Sequence, residues 1–198
     1  MADFKHISTQ LLKHFDSALS SWLTYHNSTH TNYVIEQAEF IGLQEKLSKN
    51  DILLVKFAAL YHDSGFLIQR EDHERLSCEI ATRELKLHGF DATEIDRICG
   101  MIIATHIPQQ PKTHLEKIVA DADLQYLGTN NFEEFSSNFF KEIKHFQPEL
   151  TRKEWDQIQI DFISSHTYHT NYGRKHLEPV KRENLQKVKQ RQSHGRKC

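Results

Sequence analysis

His62 and Asp63 stand side by side in a chain of 198 residues, with His26 and His30 upstream and Asp121 and Asp123 downstream. Imidazole nitrogens and carboxylate oxygens are the side-chain donors that hold a hydrolytic divalent metal. A His-Asp dipeptide alone carries little weight, but the ordered set His30, His62-Asp63 and a late aspartate carries much more. Two histidines and two carboxylates supply four ligands to one ion and leave room for water. This mixed set suits Mn, Fe, Zn, Ni or Co as divalent ions better than Ca or a thiolate-seeking ion. Such an ion lowers the pKa of a coordinated water, giving hydroxide near neutral pH, the nucleophile that phosphoester hydrolysis needs.

The elements that must bring these groups together read as helices. Ile7, Leu11, Leu12, Phe15, Leu19 and Trp22-Leu23 recur at three- and four-residue spacing, which predicts a first amphipathic helix. Ser28 or Thr29 is read as the cap of a second helix through Val34, Ile35, Ala38 and Ile41 to Gly42. If that helix includes both His26 and His30, they share one face. Ser48 or Asn50 caps a third; its stretch Ile52 to Tyr61 is almost wholly apolar, so it is expected in the core, with His62-Asp63 at its end and Ser64-Gly65 as the break. Further helices are expected at Glu71 to His88, Ala92 to Thr105, from Thr113 through Asp121 and Asp123 to Gly128, at Phe132 to Phe146, and at Arg152 to Thr167. Pro108 and Pro111 hold a rigid loop between the fifth and sixth. No strand-like alternation of useful length appears, so the fold class is all-α, a helical bundle with metal ligands on separate inward-facing helices. Residues 1–175 are expected to form the main domain. Residues 176–198 form a basic extension, with Lys181-Arg182, Lys187, Lys189, Arg191, Arg196 and Lys197, expected to begin as a helix and then fray.

Composition narrows the function classes. The formal net charge is −2, from 25 Lys+Arg against 27 Asp+Glu, which argues against a nucleic-acid partner. Cys78, Cys99 and Cys198 show no C-x-x-C spacing, so neither a disulfide scaffold nor a thiolate zinc site is expected, and a reducing cytoplasmic setting is. Met1 to Gln10 is polar, and no run approaches membrane-spanning length. The 14 histidines are the compositional anomaly; His6, His14, His88, His114, His145 and His194 are assigned to the surface.

The ordered ligands resemble the HD-domain metal-dependent phosphohydrolases, whose pattern is His, then His-Asp, then a distant Asp, over about residues 20 to 130. Tyr25-His26-Asn27, then His30 and Val34, resembles the start of the cyclic-nucleotide phosphodiesterase site, and Ala122-Asp123-Leu124 resembles the tripeptide that carries its last ligand. By this resemblance His30, His62, Asp63 and Asp123 bind the first metal and His26 is the general acid. Asp121, two residues from Asp123, is its rival as the last ligand, or else orients a ligand histidine. Where cyclic-nucleotide enzymes carry a second histidine, this chain has Phe66; His62-Asp63-Ser64-Gly65-Phe66 is instead similar to small bacterial HD phosphohydrolases. His73, with Ser77 four residues later, and His106 resemble the additional ligands of binuclear members, in which Asp63 would bridge two ions; the alternative is that His73 and His106 bind substrate phosphate directly.

The resemblance implies one or two divalent ions (Mn, Fe, Zn, Ni, Co or Mg) and hydrolysis of a phosphomonoester or phosphodiester in a small, nucleotide-like phosphorylated molecule. The alternative is a regulatory module that binds metal and nucleotide without turnover; a third reading is a di-iron oxygenase or non-phosphate hydrolase. No substrate-binding residue is assigned. The segment His166 to Tyr172 is either part of a nucleotide-binding wall or a packing loop under the C-terminal helix.

Overall fold

A computed structural model describes residues 3–194, with the side chain of His194 outside the description. Arg196, Lys197 and Cys198 of the basic extension lie outside the described residues. Among those described the chain is all-α, with nine helices: α1 (Phe4–Ala18), α2 (Ser28–Gln44), α3 (Lys49–Tyr61), α4 (His73–Leu87), α5 (Ala92–Ile103), α6 (His114–Asp123), α7 (Phe132–Phe146), α8 (Arg152–Ser165) and α9 (Glu178–His194). None is long and apolar enough to cross a membrane.

Local signals start most of these helices. Asp3, Ser48, Asp91, Thr113 and Thr151 each accept a hydrogen bond from the backbone N–H three residues on, satisfying donors that have no partner within the helix. The second helix differs from expectation: Asn27, extended at φ −147°, is its cap, accepting from the N–H of Thr29 at 3.0 Å and of His30 at 3.2 Å. His30 therefore enters on the first turn of α2, and His26 stays outside the helix.

Several ends also moved, each for a visible reason. α1 stops at Ala18 rather than at Leu23, since Leu19 is extended and Trp22 stacks on His145 of α7, with ring centroids 4.4 Å apart. α4 starts at His73 rather than Glu71, because Asp72 adopts a left-handed conformation (φ 60°). α6 ends at Asp123, and a single tight turn, Gln125–Gly128, follows it.

The core joins the apolar faces of α1 through α6, around Phe15, Val34, Ile41, Phe57, Leu60, Leu85, Ile98, Ile102 and Ile118. α3 is buried along its second half, which puts its C-terminal residues His62 and Asp63 inside the molecule. A second apolar cluster joins Tyr25, Leu124, Tyr126, Leu127, Phe132, Ile163 and Val188. Val188 belongs to α9, which packs on α8. Its basic residues are put to structural use: Arg191 binds the buried carboxylate of Asp156 at 2.8 Å and Glu133 at 2.9 Å, and Asn184 donates to the carbonyls of Leu127 and Thr129.

Candidate functional site

Three helix ends converge on one point. The Nε2 atoms of His30, from the start of α2, and His62, from the end of α3, face each other at 3.4 Å. Asp123 Oδ1, from the end of α6, is 3.2 Å from His30 Nε2 and 3.5 Å from His62 Nε2. Asp63 Oδ2 is 3.1 Å from His62 Nε2 and 3.6 Å from His30 Nε2. Ligands about 2.0–2.2 Å from one ion stand roughly 3–3.6 Å from each other, and all five of these separations fall in that range. His30, His62 and Asp123 are mutually within 4.8 Å, and Asp63 joins them through the two imidazoles.

The protonation pattern fits a cation as well. His62 Nδ1 donates to the Ala59 carbonyl at 2.8 Å, which leaves the Nε2 lone pair facing the cluster. Asp63 Oδ2 is buried with no hydrogen-bond partner, a costly arrangement for a carboxylate oxygen unless a cation meets it. Burial pushes His62 toward its neutral form, but Asp63 and Asp123 outweigh that and hold its pKa above the usual histidine range; the negative field that favours a proton on Nε2 equally favours a metal cation in its place. Burial likewise pushes the aspartates up, yet the imidazoles pull Asp123 down to about 2 and Asp63 well below its usual value. The residues present therefore fit a divalent ion.

Of the other ligands suggested by the sequence, His73 is beside the cluster. Its Nδ1 donates to the Arg70 carbonyl at 3.0 Å and its Nε2 stands 3.5 Å from Asp63 Oδ1. Gly65 allows that approach: a methyl group there would lie 2.0 Å from the His73 carbonyl oxygen. Ser77 locks the same corner, donating to the His62 carbonyl at 2.7 Å and accepting from Gly65 N–H at 2.8 Å. His106 stands apart, largely exposed on the rim of a separate groove, with Nδ1 3.0 Å from Glu74 Oε1.

His26 is held by a group that sequence reasoning missed. Its Nδ1 makes a short contact with Glu142 of α7, and the same carboxylate accepts from the backbone N–H of Tyr25 at 2.8 Å and of His26 at 3.0 Å. Burial raises the Glu142 pKa, but the His26 imidazole and these N–H groups prevail and bring it below the usual value. Phe66 stacks on His26 at 4.3 Å and lies 4.3 Å from the His73 ring, so it fills the space between the two imidazoles.

Asp121 does not orient a ligand. Two residues before Asp123 on α6, it points the other way and accepts from the N–H groups of His169 (2.8 Å) and Thr170 (2.9 Å) and from the Thr170 hydroxyl (2.7 Å). The segment His166 to Tyr172 is accordingly a packing loop, with the Tyr168 hydroxyl donating to the carbonyls of Leu124 and Gln125.

A cavity of about 310 Å³ opens over the cluster. Asp63, Asp123, His26, His73 and Glu74 form its polar side, while Phe139 of α7 and Trp155, Ile158, Phe162 and Ile163 of α8 form a wall. The α8 residues follow helical spacing, so the stripe was visible in the sequence, but what it faces was not.

Comparison with known proteins places this geometry. Residues 27–124 match the model of the HD domain family. A predicted HD superfamily hydrolase from an uncultured Thermotogales bacterium, known from its crystal structure, is similar over 94% of this chain and 91% of its own, with TM-score 0.62 and 21% identity. Bacillus subtilis YpgQ, crystallised in complex with ADP, is similar over 94% of this chain and 96% of its own, with TM-score 0.58 and 21% identity. No curated protein matches the sequence.

Proposed function

Since residues 27–124 form an HD domain, we propose that this chain is a metal-dependent phosphohydrolase acting on a small, nucleotide-like phosphoester. The observation that carries this reading is the pair of facing Nε2 atoms, 3.4 Å apart, with two carboxylates at ligand spacing. His30, His62, Asp63 and Asp123 would hold a divalent ion, and His73 beside Asp63 is the natural start of a second position. His106 would join that position only by leaving Glu74. When bound, a divalent ion supplies Lewis acidity to phosphoryl oxygens and acidifies coordinated water.

The chain's own residues supply the rest. His26 lines the cavity, and Glu142 occupies its Nδ1, so Nε2 is the nitrogen that reaches the substrate. From there it donates a proton to the leaving oxygen, the role that makes a positioned imidazole worth about 10²–10⁴ in rate. Glu142 and the Phe66 stack fix the ring, and the apolar wall excludes water from one side. The ADP held by YpgQ supports a nucleotide-like ligand.

The test is metal content together with turnover of chromogenic phosphomonoesters and phosphodiesters under Mn²⁺. The parent protein is expected to hold metal and turn over at least one ester, and Asp123→Asn and His62→Ala to lose both while circular dichroism stays helical. A metal-free parent, or full activity in both variants, would refute the reading. Metal and nucleotide binding without turnover would make it the regulatory module instead.

A further inference from the structure

The walls of the cavity say what the rest of the substrate is made of. Every charged carboxylate or ammonium-type residue among the described lining is acidic: Asp63, Glu74 and Asp123; none is Lys or Arg. Phosphates beyond the reacting one need cationic or N–H partners; outside the ion site and the imidazoles of His26 and His73, which serve the reacting phosphate, the described lining offers them Glu74 or an apolar surface. Glutamine is the neutral hydrogen-bonding side chain of α8 in the wall, yet Gln159 is spent, its Nε2 on Ser136 and its Oε1 on Arg191 at 3.3 Å. The indole N–H of Trp155 also points at Ser136, at 3.4 Å. The Thr105 hydroxyl is committed to the Ile102 carbonyl at 2.8 Å. What the wall leaves open is ring face and aliphatic surface, and it continues outward: Ile107 and Ile158, both in the lining, are each 46% exposed at the rim.

We propose that this wall selects a phosphoester with a single phosphate and an uncharged, largely apolar substituent, aromatic or branched, packed against Phe139, Trp155, Ile158 and Phe162. The proposal rests on the phosphohydrolase reading and narrows it. Base–aromatic stacking tolerates any base, so a nucleoside monophosphate fits only through its ring face, with little discrimination among bases. A nucleoside triphosphate is disfavoured, because away from the ion site and its two neighbouring imidazoles the described lining has no Lys or Arg to meet its extra charges.

Binding and turnover test this separately. With the full chain, benzylphosphonate and methylphosphonate are titrated against tryptophan fluorescence, with Trp155→Phe to assign the signal. Benzylphosphonate is expected to bind about tenfold or more tightly, the scale on which an apolar pocket distinguishes small differences in bulk, and the signal to vanish in Trp155→Phe. Under Mn²⁺, phenyl phosphate and AMP are expected to exceed glycerol 3-phosphate and ATP in kcat/KM by a similar factor. Ile158→Lys, at an exposed rim position, should raise KM for phenyl phosphate and lower it for ATP. Equal binding of the two phosphonates, or a preference for ATP or glycerol 3-phosphate, overturns the proposal while leaving the hydrolase reading intact. Selective benzylphosphonate binding with no turnover of any ester upholds the wall's selectivity and sinks the hydrolase reading.

Discussion

Glu142→Gln removes one charge from a buried carboxylate while keeping its shape, and its consequences follow from three contacts. The carboxylate accepts from Tyr25 N–H at 2.8 Å and His26 N–H at 3.0 Å, and it pairs with His26 Nδ1. An amide oxygen can still accept both backbone bonds, but the amide NH₂ then faces Nδ1 and forces it from donor to acceptor. Hydrogen bonds to a charged group contribute about 1.5–3 kcal/mol against about 0.5–1.5 for neutral ones. Three weakened bonds therefore imply a loss of about 2–4 kcal/mol at neutral pH, a large part of a total stability of about 5–15 kcal/mol.

The pH dependence gives a sharper check. Glu142 is held below its ordinary value of 4.5 in the folded protein. Its contribution is thus fully present above 4.5 and is lost as pH falls through the folded value. Urea denaturation of parent and Glu142→Gln should show a gap that is widest at pH 7 and narrows in acid. In steady-state kinetics kcat should fall by about 10²-fold or more, with KM little changed, because Glu142 positions the proton donor and does not touch substrate. A stability gap that does not narrow in acid, or a loss seen in KM with kcat intact, would refute this account of the His26–Glu142 pair.

Other substitutions separate neighbouring roles. Asp123→Ala should abolish metal binding with little loss of fold, whereas Asp121→Ala should keep the metal but lose about 2–4 kcal/mol, since it strips three donors in the His169-Thr170 loop of their acceptor; metal analysis and urea midpoints read the two. Gly65→Ala should cost about 1–3 kcal/mol by overpacking against the His73 backbone, lowering Tm by several degrees, while Gly100→Ala, whose added methyl meets only the flexible Glu116 side chain at 3.3 Å, is tolerated. Arg191→Met should cost about 1–3 kcal/mol by leaving Asp156 with Arg152 as its remaining cation, visible as faster hydrogen exchange in α8 and α9; unchanged exchange would show that α9 docks without this clamp.

Much of the site was legible because it is written locally. His62 and Asp63 sit where an apolar helix runs into Ser64-Gly65, so their burial at a helix end follows from that pattern alone. The helix starts at Ser48, Asp91, Thr113 and Thr151 depend on bonds three residues long, and they fall near the expected positions. Asp121 and Asp123 show the limit of spacing: two residues apart on one helix, they had to face differently, but only the packing of α6 against the His169 loop shows which way each turns. Trp155, Ile158, Phe162 and Ile163 read as an apolar stripe, the same in sequence whether it faces a core or a cavity. Glu142 had no signal at all among the acidic residues of α7, since its partner His26 is 116 residues away.

The sequence by itself determined the kind of chemistry, because ligand types and their order survive any arrangement of the helices, and it determined the all-α class, because periodicity is a property of neighbours. The tertiary structure alone decided what Asp121 binds instead of the metal, which acid holds His26 and what lines the cavity. Those choices rest on contacts between α2, α6, α7 and α8, whose relative placement comes from burying the apolar faces of whole helices and is not encoded in any short stretch of chain.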